Sequence, residues 1–134
     1  MKRERVKNRA EELLLAADVA RMTGHPGDAL PFLRKVIAQH RRDPRAPLAA
    51  FTLGKLLLEE LGRPRRAAEA FRQVRLLKAS SDLEEDALAR EVECYFRAGE
   101  EDRARDTAEL YLERYPKGGR RGWVERYGGL RSSP

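Results

Sequence analysis

The chain has 134 residues, of which 41% are hydrophobic and 37% charged, with a net charge of +6 and a single cysteine. That length suits one domain with a core of its own, and that mixture suits a soluble helical protein. The longest apolar run, Leu13 to Ala17, is far too short to cross a membrane, and Cys94 alone excludes an intrachain disulfide.

In chain order, the opening MKRERVKNR is strongly basic, but the apolar stretch behind it breaks at Asp18 and lacks the layout of a signal peptide. As it stands the chain reads as cytoplasmic. Residues 2 to 9 and 117 to 134 each carry +4, so the body between them is left at −2. Apolar residues at helical spacing predict helices over Arg3 to Thr23, Asp28 to Arg41, Pro47 to Leu61, Pro64 to Lys78, Asp82 to Ala98, Glu101 to Tyr115 and Arg121 to Tyr127. A cap at Asp28 is preferred for the second, because it keeps Pro31 in the first turn, where a missing N–H is tolerated. Ser81 followed by Glu84 reads as a capping box for the fifth, whose inward face is Leu88, Val92 and Tyr95. Cys94 falls where that helix buries it as a packing residue.

The middle of the chain shows how these helices pair. Phe51, Leu53, Leu56, Leu57 and Leu61 form one apolar face, Gly62 permits a left-handed turn, and Pro64 opens the next helix. Ala67, Ala70, Phe71 and Val74 then give a second stripe whose small residues let two helices approach closely. Gly24, Gly62 and Gly99 recur at spacings of 38 and 37 residues, each followed five residues later by Ala29, Ala67 or Ala104. Such a period means hairpins stacked as a solenoid. The basic clusters HRRDPR (His40 to Arg45) and RPRR (Arg63 to Arg66) fall at turns, either as solvated charge or as a phosphate-facing edge.

The pattern resembles the tetratricopeptide repeat. Leu53, Gly54, Leu57, Gly62, Ala67 and Phe71 fit the motif in the middle unit, with one extra residue before Gly62; Tyr95, Gly99, Ala104 and Pro116 fit it in the third; Ala16, Ala17, Ala20, Gly24, Ala29 and Leu33 fit it in the first. The resemblance implies an all-α, right-handed α-solenoid of about three hairpins (3–42, 46–78 and 82–116) with a capping segment at 118–130 in a single domain spanning 1–131, and a flexible tail at 131–134. The ending AELYLERYPKGG is similar to the repeats of bacterial envelope proteins of the outer-membrane assembly lipoprotein, Tol-Pal coordinator and FecR-associated type. That likeness implies a periplasmic setting if the chain is part of a longer envelope protein.

Carrying over the family's groove positions nominates rows on the first helix of each hairpin: Glu11, Leu48 and Asp86; Leu14, Phe51 and Ala89; Asp18, Lys55 and Glu93; Arg21, Leu58 and Phe96. A protein or peptide segment is the implied partner, held without cofactor. Leu14, Phe51 and Ala89 stand where a polar clamp for a C-terminal carboxylate would be needed, so that specialisation is not expected. The segment around Trp123, Val124 and Tyr127 suits a cap over the last hairpin. The rival reading makes Arg120, Arg121, Trp123 and Arg126 a basic-aromatic surface for single-stranded RNA. His25, His40 and Cys94 have neither metal-ligand nor catalytic spacing, and no glycine-rich phosphate loop follows a strand, so a non-enzymatic scaffold without metal is expected. An exposed flank of a short array also allows weak self-association.

Overall fold

The computed structural model describes residues 2–130, with side chains from Arg9 onward. The expected tail at 131–134 and the side chains of the basic residues 2–8 lie outside the described part. Seven α-helices run through it: α1 (Lys2–Met22), α2 (Pro26–Gln39), α3 (Ala46–Lys55), α4 (Pro64–Leu76), α5 (Ser81–Arg97), α6 (Glu101–Arg114) and α7 (Arg121–Tyr127). They form an all-α array of three hairpins, α1/α2, α3/α4 and α5/α6. The hairpins are stacked through α2 on α3 and α4 on α5, and α7 covers α5 and α6. The core is one apolar cluster from Leu13 to Val124, and alanines line its seams: Ala29, Ala50, Ala67 and Ala108 are all wholly buried. Without bulky side chains at these points, helix axes come close and larger residues such as Leu33, Phe71 and Tyr111 fill the remaining space.

The three repeating glycines behave as their spacing predicts. Gly24, Gly62 and Gly99 have φ of +80°, +60° and +78°, each ending the first helix of its hairpin in the left-handed region that disfavours a side chain. Ala29, Ala67 and Ala104 lie buried on the following helix.

Two expected helix starts are corrected. α2 begins at Pro26, not Asp28: the Asp28 N–H already bonds the His25 carbonyl at 3.0 Å, so the turn has formed before Asp28. Pro31 therefore lies inside α2, and the carbonyl it cannot serve belongs to Gly27, which is exposed and so open to solvent. The cap of α5 is Ser80, whose hydroxyl accepts the Leu83 N–H at 3.4 Å, not Ser81. Glu84, expected to complete a capping box, instead accepts Arg114 Nη1 at 2.8 Å and the Tyr115 hydroxyl at 2.7 Å. That fastens α6 to the start of α5.

The third helix also differs. A continuous helix to Leu61 is expected, yet from Leu56 to Glu60 the chain makes one π-helical turn, in which the Leu61 N–H bonds the Leu56 carbonyl five residues back. The extra residue before Gly62 is thus taken up as a wider turn, and Gly62 still arrives where the hairpin must reverse.

Ion pairs cross the hairpin boundaries. Arg45 joins Glu11 at 3.0 Å, Arg65 joins Glu100 at 2.9 Å, and Arg75 meets Glu91 at 3.1 Å in a buried pair. Tyr111, fully buried, donates to Glu85 Oε2 at 2.8 Å and accepts the Arg120 N–H at 3.1 Å, which anchors the entry to α7. At the opposite end nothing among the described residues covers the outer side of α1. Val19 is 52% exposed, whereas Leu56 and Cys94, at the corresponding places in α3's continuation and α5, are 4% and 0% exposed. Leu15 and Met22 are exposed beside it.

Candidate functional site

The first helices of the hairpins leave two hollows that meet at Glu59. One, of about 600 Å³, is lined by Arg21, Leu48, Phe51, Lys55 and Glu59 among others. The other, of about 390 Å³, lies between the π-turn, α5 and α7, and is lined by Leu58, Glu59, Ala89, Arg90, Arg97 and Trp123 among others. Seven of the nominated groove residues line one or the other: Arg21, Leu48, Phe51, Lys55, Leu58, Ala89 and Glu93. Leu14 is half-buried against the core, Asp18 is exposed and pairs with Arg21 at 3.4 Å, and Phe96 is half-exposed with its ring edge to Tyr127. These three line neither hollow.

Phe51 is not an open anchor. It is buried, its ring stands edge-on to Phe71 with centroids 5.5 Å apart, and the Arg90 guanidinium lies over it at 5.3 Å. Cation and ring attract while Arg90 shields the ring from water.

Arg90 is the residue that spacing did not single out. It also donates to Asp86 at 2.9 Å and to Glu59 at 3.3 Å, so one guanidinium joins the π-turn, α3 and α5. Its sequence signal was only an arginine four residues after an aspartate on one helix face.

Two carboxylates along the groove are shielded. The Glu93 side chain is only 10% exposed and receives Arg97, which is 52% exposed. Asp86 holds both Arg90 and, at 3.2 Å, Arg120. In the Glu93–Arg97 and Asp86–Arg120 pairs the carboxylate is inner and the guanidinium outer, whereas Glu59, 51% exposed, stands outside Arg90. Arg97 is held further into its charged form, chiefly by its hydrogen bond with Glu93.

Arg120 and Trp123, nominated for a separate basic surface, line this same groove. Arg121 pairs with Glu125 at 2.7 Å, Trp123 packs on Tyr127 with centroids 4.9 Å apart, and Arg126 lies over the same tyrosine. No observation on the described residues favours nucleic acid at this end. Val124 is buried, as a capping segment requires. Cys94 is buried as expected, and desolvation pushes its thiol up to about 12, away from nucleophilic chemistry.

Stacked helical hairpins with a side-chain-lined groove define a helical-repeat scaffold. The tetratricopeptide repeat model matches residues 86–118, which take in most of α5, all of α6 and the turn after it. Such repeats generally mediate contacts between proteins. No curated protein matches the chain.

Proposed function

We propose that this chain is a non-enzymatic scaffold that holds a segment of another protein in the groove along α1, α3, α5 and α7. The observation that carries the reading is the pair of joined hollows, in which apolar Leu48, Leu58 and Trp123 alternate with half-buried Lys55 and exposed Arg97 and Arg120. Apolar anchors supply affinity in such a groove, and the charges fix register and partner. The inner carboxylates hold the arginines in place, so a partner's acidic side chains meet guanidinia whose geometry is already set.

The test is affinity capture from the source organism with the wild-type chain beside a Leu48→Asp, Lys55→Glu, Arg97→Glu variant. All three positions lie on the helix surface, and circular dichroism checks that the variant is folded. A protein retained by the wild type and lost by the variant supports the groove; a photo-crosslinker at position 48 then maps the contact. Equal retention by both rejects it.

A further inference from the structure

The second helices carry a different hollow, between α2 and α4, of about 410 Å³. Its rim bears Arg34, Arg41 and Arg66, against one carboxylate, Glu69. These three guanidinia have neither an ion pair nor a hydrogen bond among the described residues, in contrast to the groove arginines. Two basic turn clusters that are separate in sequence, around Arg41 and around Arg66, thus reach one place in space. Below the rim are Ile37, Leu53, Leu57 and Ala70, aliphatic core residues that reach the hollow's floor. No aromatic ring lines it, so there is no platform on which a nucleobase would stack.

Gln73 adds an independent observation. Its Oε1 is buried, lines this region, and has no donor among the described residues. A buried acceptor left without a partner is costly, and an incoming N–H relieves that cost. A free phosphate at neutral pH offers chiefly acceptors. A peptide offers backbone N–H groups together with carboxylates and aliphatic side chains.

We propose that the seam between α2 and α4 is a second binding site, for an acidic peptide segment carrying aliphatic side chains. Its carboxylates lie on Arg34, Arg41 and Arg66, an aliphatic side chain covers Ile37 and Leu57, and a backbone N–H serves Gln73. The volume is within the range of small-ligand sites. The proposal is independent of the groove, since it uses the other helix of each hairpin.

The experiment is a heteronuclear NMR titration of the full chain at low salt with a short peptide of alternating aspartate and leucine. A lysine-leucine peptide and a uridine oligonucleotide serve as controls. Expected are shifts confined to α2, α4, the turn after α2 and the floor residues Leu53 and Leu57, an affinity that falls as salt rises, and about tenfold weaker binding in an Arg34→Ala, Arg66→Ala double variant. Gln73→Met weakens binding while leaving its salt dependence intact, and Arg97→Glu leaves it unchanged. Absence of shifts, or shifts that Arg97→Glu removes and Arg34→Ala, Arg66→Ala does not, overturns the proposal. Equal binding of the uridine oligonucleotide, lost in the same double variant, replaces the peptide by a phosphate ligand and overturns it as well.

Discussion

The ring of Phe71 occupies the space that a side chain at Gly54 would need: a β-carbon there would stand 2.7 Å from the ring carbons Cε1 and Cζ. Both residues are buried, and Phe51 closes the ring's other approach at a centroid distance of 5.5 Å. Gly54→Ala gains about 1 kcal/mol of helix propensity and loses about 1–3 kcal/mol to overpacking, so net destabilisation is expected in urea unfolding. Phe71→Leu in the same chain should remove most of the penalty. If Gly54→Ala stabilised the protein in both backgrounds, the close contact would carry no energy.

The buried pair of Arg75 and Glu91 gives a pH-dependent expectation. Burial raises the Glu91 carboxyl above its ordinary value, against the lowering influence of Arg75. A carboxyl raised on folding binds its proton more tightly in the folded state, so its contribution to stability is full at low pH and lost as pH rises through the folded value. Replacing Arg75 by Met removes the lowering partner and leaves a buried charge, at a cost of about 3 kcal/mol near neutral pH. That cost should shrink on acidification. Unfolding curves for Arg75→Met that showed a pH-independent loss would mean that Glu91 is not the group responsible.

The π-turn predicts where the chain tolerates shortening. Glu60 is exposed and lies within the turn, so its deletion lets α3 continue as a regular helix into Gly62. We expect a folded protein with stability close to wild type by circular dichroism and urea titration. Removal of Ala98, at the end of α5 where no extra residue exists, should be much more damaging because Gly99 would lose its register. Equal damage from the two deletions would refute the assignment of the extra residue to the turn.

Tyr111 ties α7 to α5, and burial followed by the hydrogen bond to Glu85 pushes its phenol up to about 12. The folded state therefore favours the neutral phenol, and its stabilising share is lost as pH climbs from the ordinary value near 10 through about 12. Tyr111→Phe removes the donor to Glu85 and the acceptor of the Arg120 N–H, at a cost of about 1–3 kcal/mol. Faster tryptic cleavage after Arg120 and Arg121, ahead of global unfolding, is the expected readout. Unaltered cleavage kinetics would show that α7 is held by Val124 packing alone.

Hairpin architecture was legible from the residues because its signals are local and repeated. Gly24, Gly62 and Gly99 mark reversals that only positive φ satisfies, and the alanines five residues on mark close approaches. Even the π-turn had a trace, as one residue too many before Gly62. The start of α2 was misread because the Pro31 penalty falls on a carbonyl that water can reach, and water does not appear in a one-dimensional pattern. The groove was legible only as positions. Which charge faces outward depends on pairs such as Glu59 with Arg90 and Asp86 with Arg120, separated by 31 and 34 residues, and no spacing rule joins them. The cluster of Arg34, Arg41 and Arg66 was likewise hidden, because it assembles from α2, the turn after it and the start of α4, which only stacking brings together.

The unequal ends of the array give it a polarity. α7 closes the last hairpin through Val124, whereas the outer side of α1 still presents Leu15 and Val19, the latter at the place where Leu56 and Cys94 are buried in the other hairpins. A further hairpin grafted in front of α1 would find a ready surface and should unfold together with the host in one cooperative step. The same hairpin grafted behind α7 would meet a sealed face and melt as a separate unit. Lengthening this scaffold is therefore a one-directional operation, and its curvature, reach and number of groove positions can be varied from the α1 side without disturbing the seal at the other.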